Sequence, residues 1–249
     1  MRIIISPAKK MREDADTVPN AGLPVFVDRA EELRDWVASL TFEQQKELWA
    51  CSDGIALQNR ERFAHMDLRE RLTPALLAYE GIQYAYMSPS VFEDGEFAYV
   101  QEHVRILSGL YGVLRPMDGV ASYRLEMQAK VRLGGTSNLY AYWGSSIYDE
   151  VMDESRVLVN LASKEYSRAV ERHLRQGDTC VTCVFGELEG ERLVQKGVYV
   201  KMARGEMVRY LASTHAQSPA DLRGFAWSGY AFDEARSTPA SYVFSRQSP

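Results

Sequence analysis

Hydrophobic positions along this chain change period more than once. Ile3, Ile4 and Ile5 form a short unbroken apolar run that Ser6-Pro7 ends, and they predict a first strand over Arg2 to Ser6. Pro7 to Pro24 is rich in turn formers and carries Lys9, Lys10 and Arg12 near its start. From Phe26 the period becomes helical, with Phe26, Ala30, Leu33, Trp36, Val37 and Leu40 on one face. Thr41 and Gln44 make a capping-box pattern for a second helix running to about Cys51. Ser52-Asp53-Gly54 interrupts it, and a third helix reaches about Phe63. Thr73-Pro74, Ser88-Pro89 and Ser218-Pro219 each read as an N-cap followed by proline at the first helical position.

After Gly81 short strands are expected between helices. Arg156 to Leu161 reads as a buried strand, and Lys164 to Leu174 as an amphipathic helix ended by Gly177. Thr179 to Glu187 and Arg192 to Lys201 read as a hairpin around Glu189-Gly190, followed by a helix from about Arg204 to His215. Trp227 to Phe232 and Tyr242 to Phe244 are late strands. The fold class expected is therefore α/β, or mixed α+β. It is a single compact domain over 1–249, a central mixed sheet surrounded by helices, with a helical subregion at about 25–80.

Composition narrows the function classes. The chain has 249 residues, is 46% hydrophobic and carries a formal net charge of −5. An acidic chain is not a wholesale nucleic-acid coat, but DNA binding remains open if positive charge gathers on one face or backbone N–H groups meet the phosphates. No apolar run is long enough to span a bilayer, so no membrane partner is expected. Cys180-x-x-Cys183 lies in a β-branched stretch, where alternation puts the two thiols on opposite faces, and that argues against a redox or zinc pair. The four histidines show no metal-type spacing, and neither metal nor cofactor is expected.

Two constellations carry chemistry. In Leu107-Ser108-Gly109-Leu110-Tyr111-Gly112-Val113-Leu114-Arg115-Pro116, two glycines mark tight backbone and Pro116 biases Arg115 to an extended conformation. The run suits an anion at a sheet edge, with Arg115 pointing into a polar cleft; a packed turn whose arginine pairs with a carboxylate is the other reading. The second constellation is helix, turn at Asp53-Gly54-Ile55, helix. In a helix-hairpin-helix such a turn offers N–H groups to DNA phosphates, with Ser52, Gly54, Ile55, Asn59 and Arg60 nearest. An ordinary helical hairpin has the same outline, and Ala56 stands where the motif usually has a second glycine. Tyr140, Tyr142 and Trp143 could stack bases but read as core.

A wider set of segments carries a family resemblance. Ile5-Ser6-Pro7-Ala8-Lys9, the Leu107 to Pro116 run, Tyr123-Arg124-Leu125-Glu126-Met127, Leu139-Tyr140-Ala141-Tyr142-Trp143-Gly144, Asn160-Leu161-Ala162-Ser163-Lys164-Glu165-Tyr166 and Ala203-Arg204-Gly205 follow one another along the chain. In these motifs and their order the chain resembles the YaaA family. The resemblance implies a cytoplasmic bacterial protein of the peroxide stress response that limits free iron. It also implies sequence-independent DNA binding through a helix-hairpin-helix element; it implies no known reaction. The polar motif residues Lys9, Ser108, Arg115, Arg124, Glu126, Asn160, Ser163, Lys201 and Arg204 are the expected DNA- or anion-binding set, because most fall at strand ends where open sheets place ligands. An enzyme acting on a small phosphorylated or otherwise anionic substrate is the alternative. It requires those side chains to converge on one pocket, with Glu126 or Glu165 as base. Arg124 and Glu126 share one face of an extended segment, so an internal ion pair competes with a direct ligand contact.

Overall fold

A computed structural model describes residues 1–247. The opening apolar run forms β1 (Arg2–Ile5), with all three isoleucines fully buried. A strand apolar on both faces belongs inside a parallel sheet, and β1 sits there. The two-residue β2 (Lys10–Met11) precedes α1 (Val27–Ser39), α2 (Phe42–Trp49) and α3 (Asp53–His65). The capping box forms: Thr41 N donates to Gln44 Oε1 at 2.9 Å and Gln44 N to Thr41 Oγ1 at 3.3 Å. The reversal between α2 and α3 differs from expectation. It turns at Ala50, which holds a left-handed φ of 44°, while Asp53 and Gly54 already belong to the first turn of α3.

The chain continues through β3 (Thr73–Pro74), α4 (Ala75–Ala78), β4 (Tyr79–Glu80), α5 (Ile82–Met87), α6 (Asp94–His103), β5 (Val104–Ser108), β6 (Gly112–Leu114) and β7 (Gly119–Val120). Thr73 does not cap a long helix. Its hydroxyl accepts from Asp14 N at 2.8 Å instead, and its backbone pairs with β7. Next come α7 (Leu139–Trp143), α8 (Ser146–Val151), β8 (Val157–Leu161), α9 (Lys164–Glu171) and β9 (Thr179–Glu189). The last elements are β10 (Arg192–Val194), α10 (Gly197–Ser213), β11 (Ala231–Phe232) and β12 (Ser241–Gln247). The hairpin turns at Gly190 as expected, but its second strand stops at Val194 and α10 begins at Gly197 rather than near Arg204. Val200, Ala203, Met207, Val208 and Leu211 supply a buried helical face that an extended chain could not bury together.

The main sheet runs β11-β12-β9-β8-β1-β5-β6, with β10 paired to β9. β12, β9, β8, β1 and β5 are parallel, and β6, β10 and β11 run antiparallel to their neighbours. The sheet is thus mixed, as the alternation of elements predicts. From β1 the chain first adds β5 on one side, then crosses to lay β8 on the other. Beyond the carboxyl ends of those central strands such a reversal of direction opens a crevice. Cys183 is buried and Cys180 half-buried; burial pushes the Cys180 thiol up to about 12, so both are packing residues. Among the described residues no helix is long and apolar enough to cross a membrane.

Candidate functional site

The crevice beyond β1 and β8 has a volume of about 510 Å³. Five segments meet there: the loop after β1, the start of α5, residues 123–126, the start of α9, and one face of α10. They bring together the cations Lys9, Lys10, Arg124, Lys201 and Arg204 with the carboxylates Glu80, Glu126 and Glu165.

Local chemistry explains how these segments are held. Ser6 ends β1, and its hydroxyl accepts from Ser163 N at 2.8 Å, which locks the loop after β1 to the loop after β8. Tyr84 donates to Ser6 O at 3.0 Å from the other side. Below lie buried tyrosines: Tyr123 shares hydrogen bonds with Ser108 Oγ at 2.6 Å and with Tyr79 at 2.8 Å. Burial raises the Tyr123 hydroxyl to about 12 and pushes Tyr79 and Tyr84 well above the ordinary phenol range, so these phenols are neutral fixtures. Gly109 lies directly under the Leu125 carbonyl, where any Cβ would collide, and so seats residues 124–126. Gly205 plays the same part for α10. A Cβ there would strike the Gln83 carbonyl and approach Met87 N to 2.8 Å, so glycine alone lets α10 close on α5.

Glu126 is held between Lys9 Nζ at 2.9 Å and Arg124 at 3.0 Å, so of the two readings of Arg124 and Glu126 the internal ion pair is the one present. Arg204 is different. It makes no ion pair or side-chain hydrogen bond among the described residues, and its Nε is buried without an acceptor. Burial lowers its pKa. The Nε of Arg124 and the amide nitrogen of Gln83 are likewise buried and unpaired. Buried donors without acceptors are costly in an isolated chain, and three of them line one crevice. Burial raises the Glu165 carboxyl above its ordinary range.

Of the expected set, Lys9, Arg124, Glu126, Ser163, Lys201 and Arg204 line the crevice. Ser108 and Asn160 do not. Ser108 is wholly buried beneath Tyr123, and Asn160 donates to Glu171 at 2.7 Å while accepting from Ala162 N at 2.9 Å, which shapes the loop after β8. Arg115 does not point into the cleft. Its side chain is 53% exposed and pairs with Glu150 at 3.5 Å. Pro116 does fix the backbone there, but into a turn in which Arg115 N donates to Asp118 at 2.8 Å. The two glycines of that run serve packing: Gly112, at φ 71°, leaves only 3.0 Å between a Cβ and the Trp143 ring. Trp143 is core, and Tyr140 and Tyr142 pack half-buried against it.

The α2–α3 hairpin stands beside the crevice but not in it. Ser52, Gly54, Ile55 and Arg60 are exposed and line no part of it. Asn59 is buried, donating to Ile55 O at 2.8 Å, and the Arg60 guanidinium sits 5.8 Å from the Phe42 ring centre. Asp53 occupies the first turn of α3 and pairs with Lys46, so a carboxylate already sits where a phosphate would approach. Sequence reasoning overlooked Gln83, Tyr84 and Tyr166. They arrive from short or amphipathic helices and look like packing residues until the crevice is formed.

Fold and crevice define a single-domain α/β protein with a cleft lined by cations and carboxylates at the carboxyl ends of its parallel strands. Residues 1–236 match the family described as Peroxide stress protein YaaA, and the chain belongs to that family. A UPF0246 protein of Agathobacter rectalis is 52% identical over 99% of both chains. UPF0246 proteins of Lachnoclostridium phytofermentans and Desulfitobacterium hafniense are 49% and 48% identical, each over 98% of this chain and 96% and 97% of their own.

Proposed function

We propose that the cleft binds phosphate, and that its ligand in the peroxide stress response is DNA, gripped through the backbone without regard to sequence. One observation carries this reading: the buried, unpaired guanidinium nitrogens of Arg204 and Arg124 line a crevice that also gathers Lys9, Lys10 and Lys201. Phosphate oxygens are the acceptors that such donors lack, and arginine presents them as a planar fork. The α2–α3 hairpin would add at most a peripheral backbone contact from the exposed Arg60, because Asp53 occupies its turn. In this reading any influence on free iron or on oxidative DNA damage follows from occupancy of DNA.

The test is a mobility-shift titration on duplex and bubble DNA at about 50 and 200 mM salt. Binding should weaken steeply with salt, and Arg124→Ala and Arg204→Ala should each weaken it at both concentrations. Absence of binding at low salt would end the reading. A small phosphorylated substrate is the second reading; it is narrowed to the six motif residues that do line the cleft, with the partly buried Glu165 as the base. Turnover of a phosphorylated small molecule, lost in Glu165→Gln, would favour it over DNA.

A further inference from the structure

A second cavity, of about 560 Å³, adjoins the cleft. Glu126 lines both, so the two share a wall. Their linings are unlike. The second is walled by Trp36, Leu40, Leu48, Trp49 and Ala129, an apolar and partly aromatic surface. Its Trp49 is 2% exposed, and the indole N–H has no acceptor among the described residues. Gln44, Gln128, Lys130, Arg132 and the carboxylate of Glu47 complete its polar lining.

We propose that the two cavities form one bipartite nucleotide site, with a phosphate in the cationic cleft and the base against Trp36, Leu40 and Leu48, above the buried Trp49. This rests on the phosphate reading of the cleft. An apolar pocket beside a phosphate site suits a planar ring with hydrogen-bonding edges. The Gln128 amide and the Gln44 amide nitrogen, whose oxygen is held by Thr41 N, match base edges, while Lys130 and Arg132 would meet the next phosphate of a strand. Glu126 is the switch between the halves. Its carboxylate now occupies Lys9 and Arg124, the cations a ligand phosphate would claim, so binding releases it from the shared wall.

The experiment compares inorganic phosphate with a deoxynucleoside 5′-monophosphate by calorimetry and tryptophan fluorescence. The monophosphate should bind roughly 5- to 150-fold more tightly, the range base stacking confers. Leu48→Gln should erase that margin while leaving phosphate affinity unchanged, and Arg204→Ala should weaken both ligands. If Leu48→Gln fails to fold, the half-buried Trp36→Ala gives the same readout. Equal affinities for the two ligands, or a margin that survives both Leu48→Gln and Trp36→Ala, overturns the base pocket and leaves the phosphate site standing. Binding of neither ligand overturns both.

Discussion

Arg115 and Arg204 each stand near glycines, yet the two regions treat them in opposite ways. In the first, Gly109 and Gly112 pack under Leu125 and against Trp143, while Arg115 is carried out to solvent and meets Glu150. In the second, Gly205 brings α10 onto α5, and the adjacent Arg204 is drawn into the cleft with no carboxylate. Both glycine sets exist for close approach. Only the second leaves a guanidinium with unused donors, and unused buried donors are what a ligand can satisfy. A motif arginine is therefore functional or structural according to the partner it has at rest.

The sharpest way to break this comparison is at the glycines. Gly205→Ala places a methyl on the Gln83 carbonyl, and overpacking against backbone should cost about 3 kcal/mol or more. At this chain length that is a fall in melting temperature of roughly 6–12 °C. Gly54→Ala is the control: nothing lies within 4 Å of its Cβ and the site is helical, so thermal melting should show no loss, or a gain of about 0.5–1 kcal/mol. A Gly205→Ala protein as stable as the parent would mean that α10 is not held where described.

Next in size is the pair of arginines. Arg204→Ala should lower DNA affinity roughly 10- to 100-fold, the loss of charge-assisted hydrogen bonds. Arg115→Ala should change it less than about twofold, as expected of an exposed ion pair. Stability should move the other way at Arg204. Arg204→Met removes a desolvated, unpaired charge, so its melting temperature should match or exceed that of the parent while binding is lost. Loss of both stability and binding in Arg204→Met would make Arg204 structural.

Titration separates the regions more gently. Beside Arg115, burial raises Asp118 from 3.8 to about 6. Between those values the native state holds a proton that the unfolded chain has released, so stability falls as pH rises through that window. Asp118→Asn should flatten this slope, by on the order of 2 kcal/mol across it, in urea melts between pH 4 and 7. In the cleft the linkage is to the ligand. Glu165 carries a raised pKa, so anion affinity should decline as pH climbs through its titration, and Glu165→Gln should remove that decline. An unchanged pH profile in Glu165→Gln would detach Glu165 from the anion site.

Local pattern alone determined much of this protein. Three consecutive isoleucines required a doubly buried strand, Thr41 with Gln44 required a helix start, and Gly190 a hairpin turn, because each depends on neighbours a few residues away. Six of the nine motif polar residues line the cleft, although Lys201 and Arg204 reach it from within α10 and not from strand ends. Tertiary structure decided the rest. Thr73 accepts from Asp14 rather than capping a helix, and residues 197–203 join α10 because their apolar face finds α5. Arg115, Ser108 and Asn160 were drawn to partners far along the chain or deep in the core. Which arginine keeps free donors depends on carboxylates many residues away and on how near two helices can come. Neither is encoded in spacing; both are set only when the sheet closes and its helices pack.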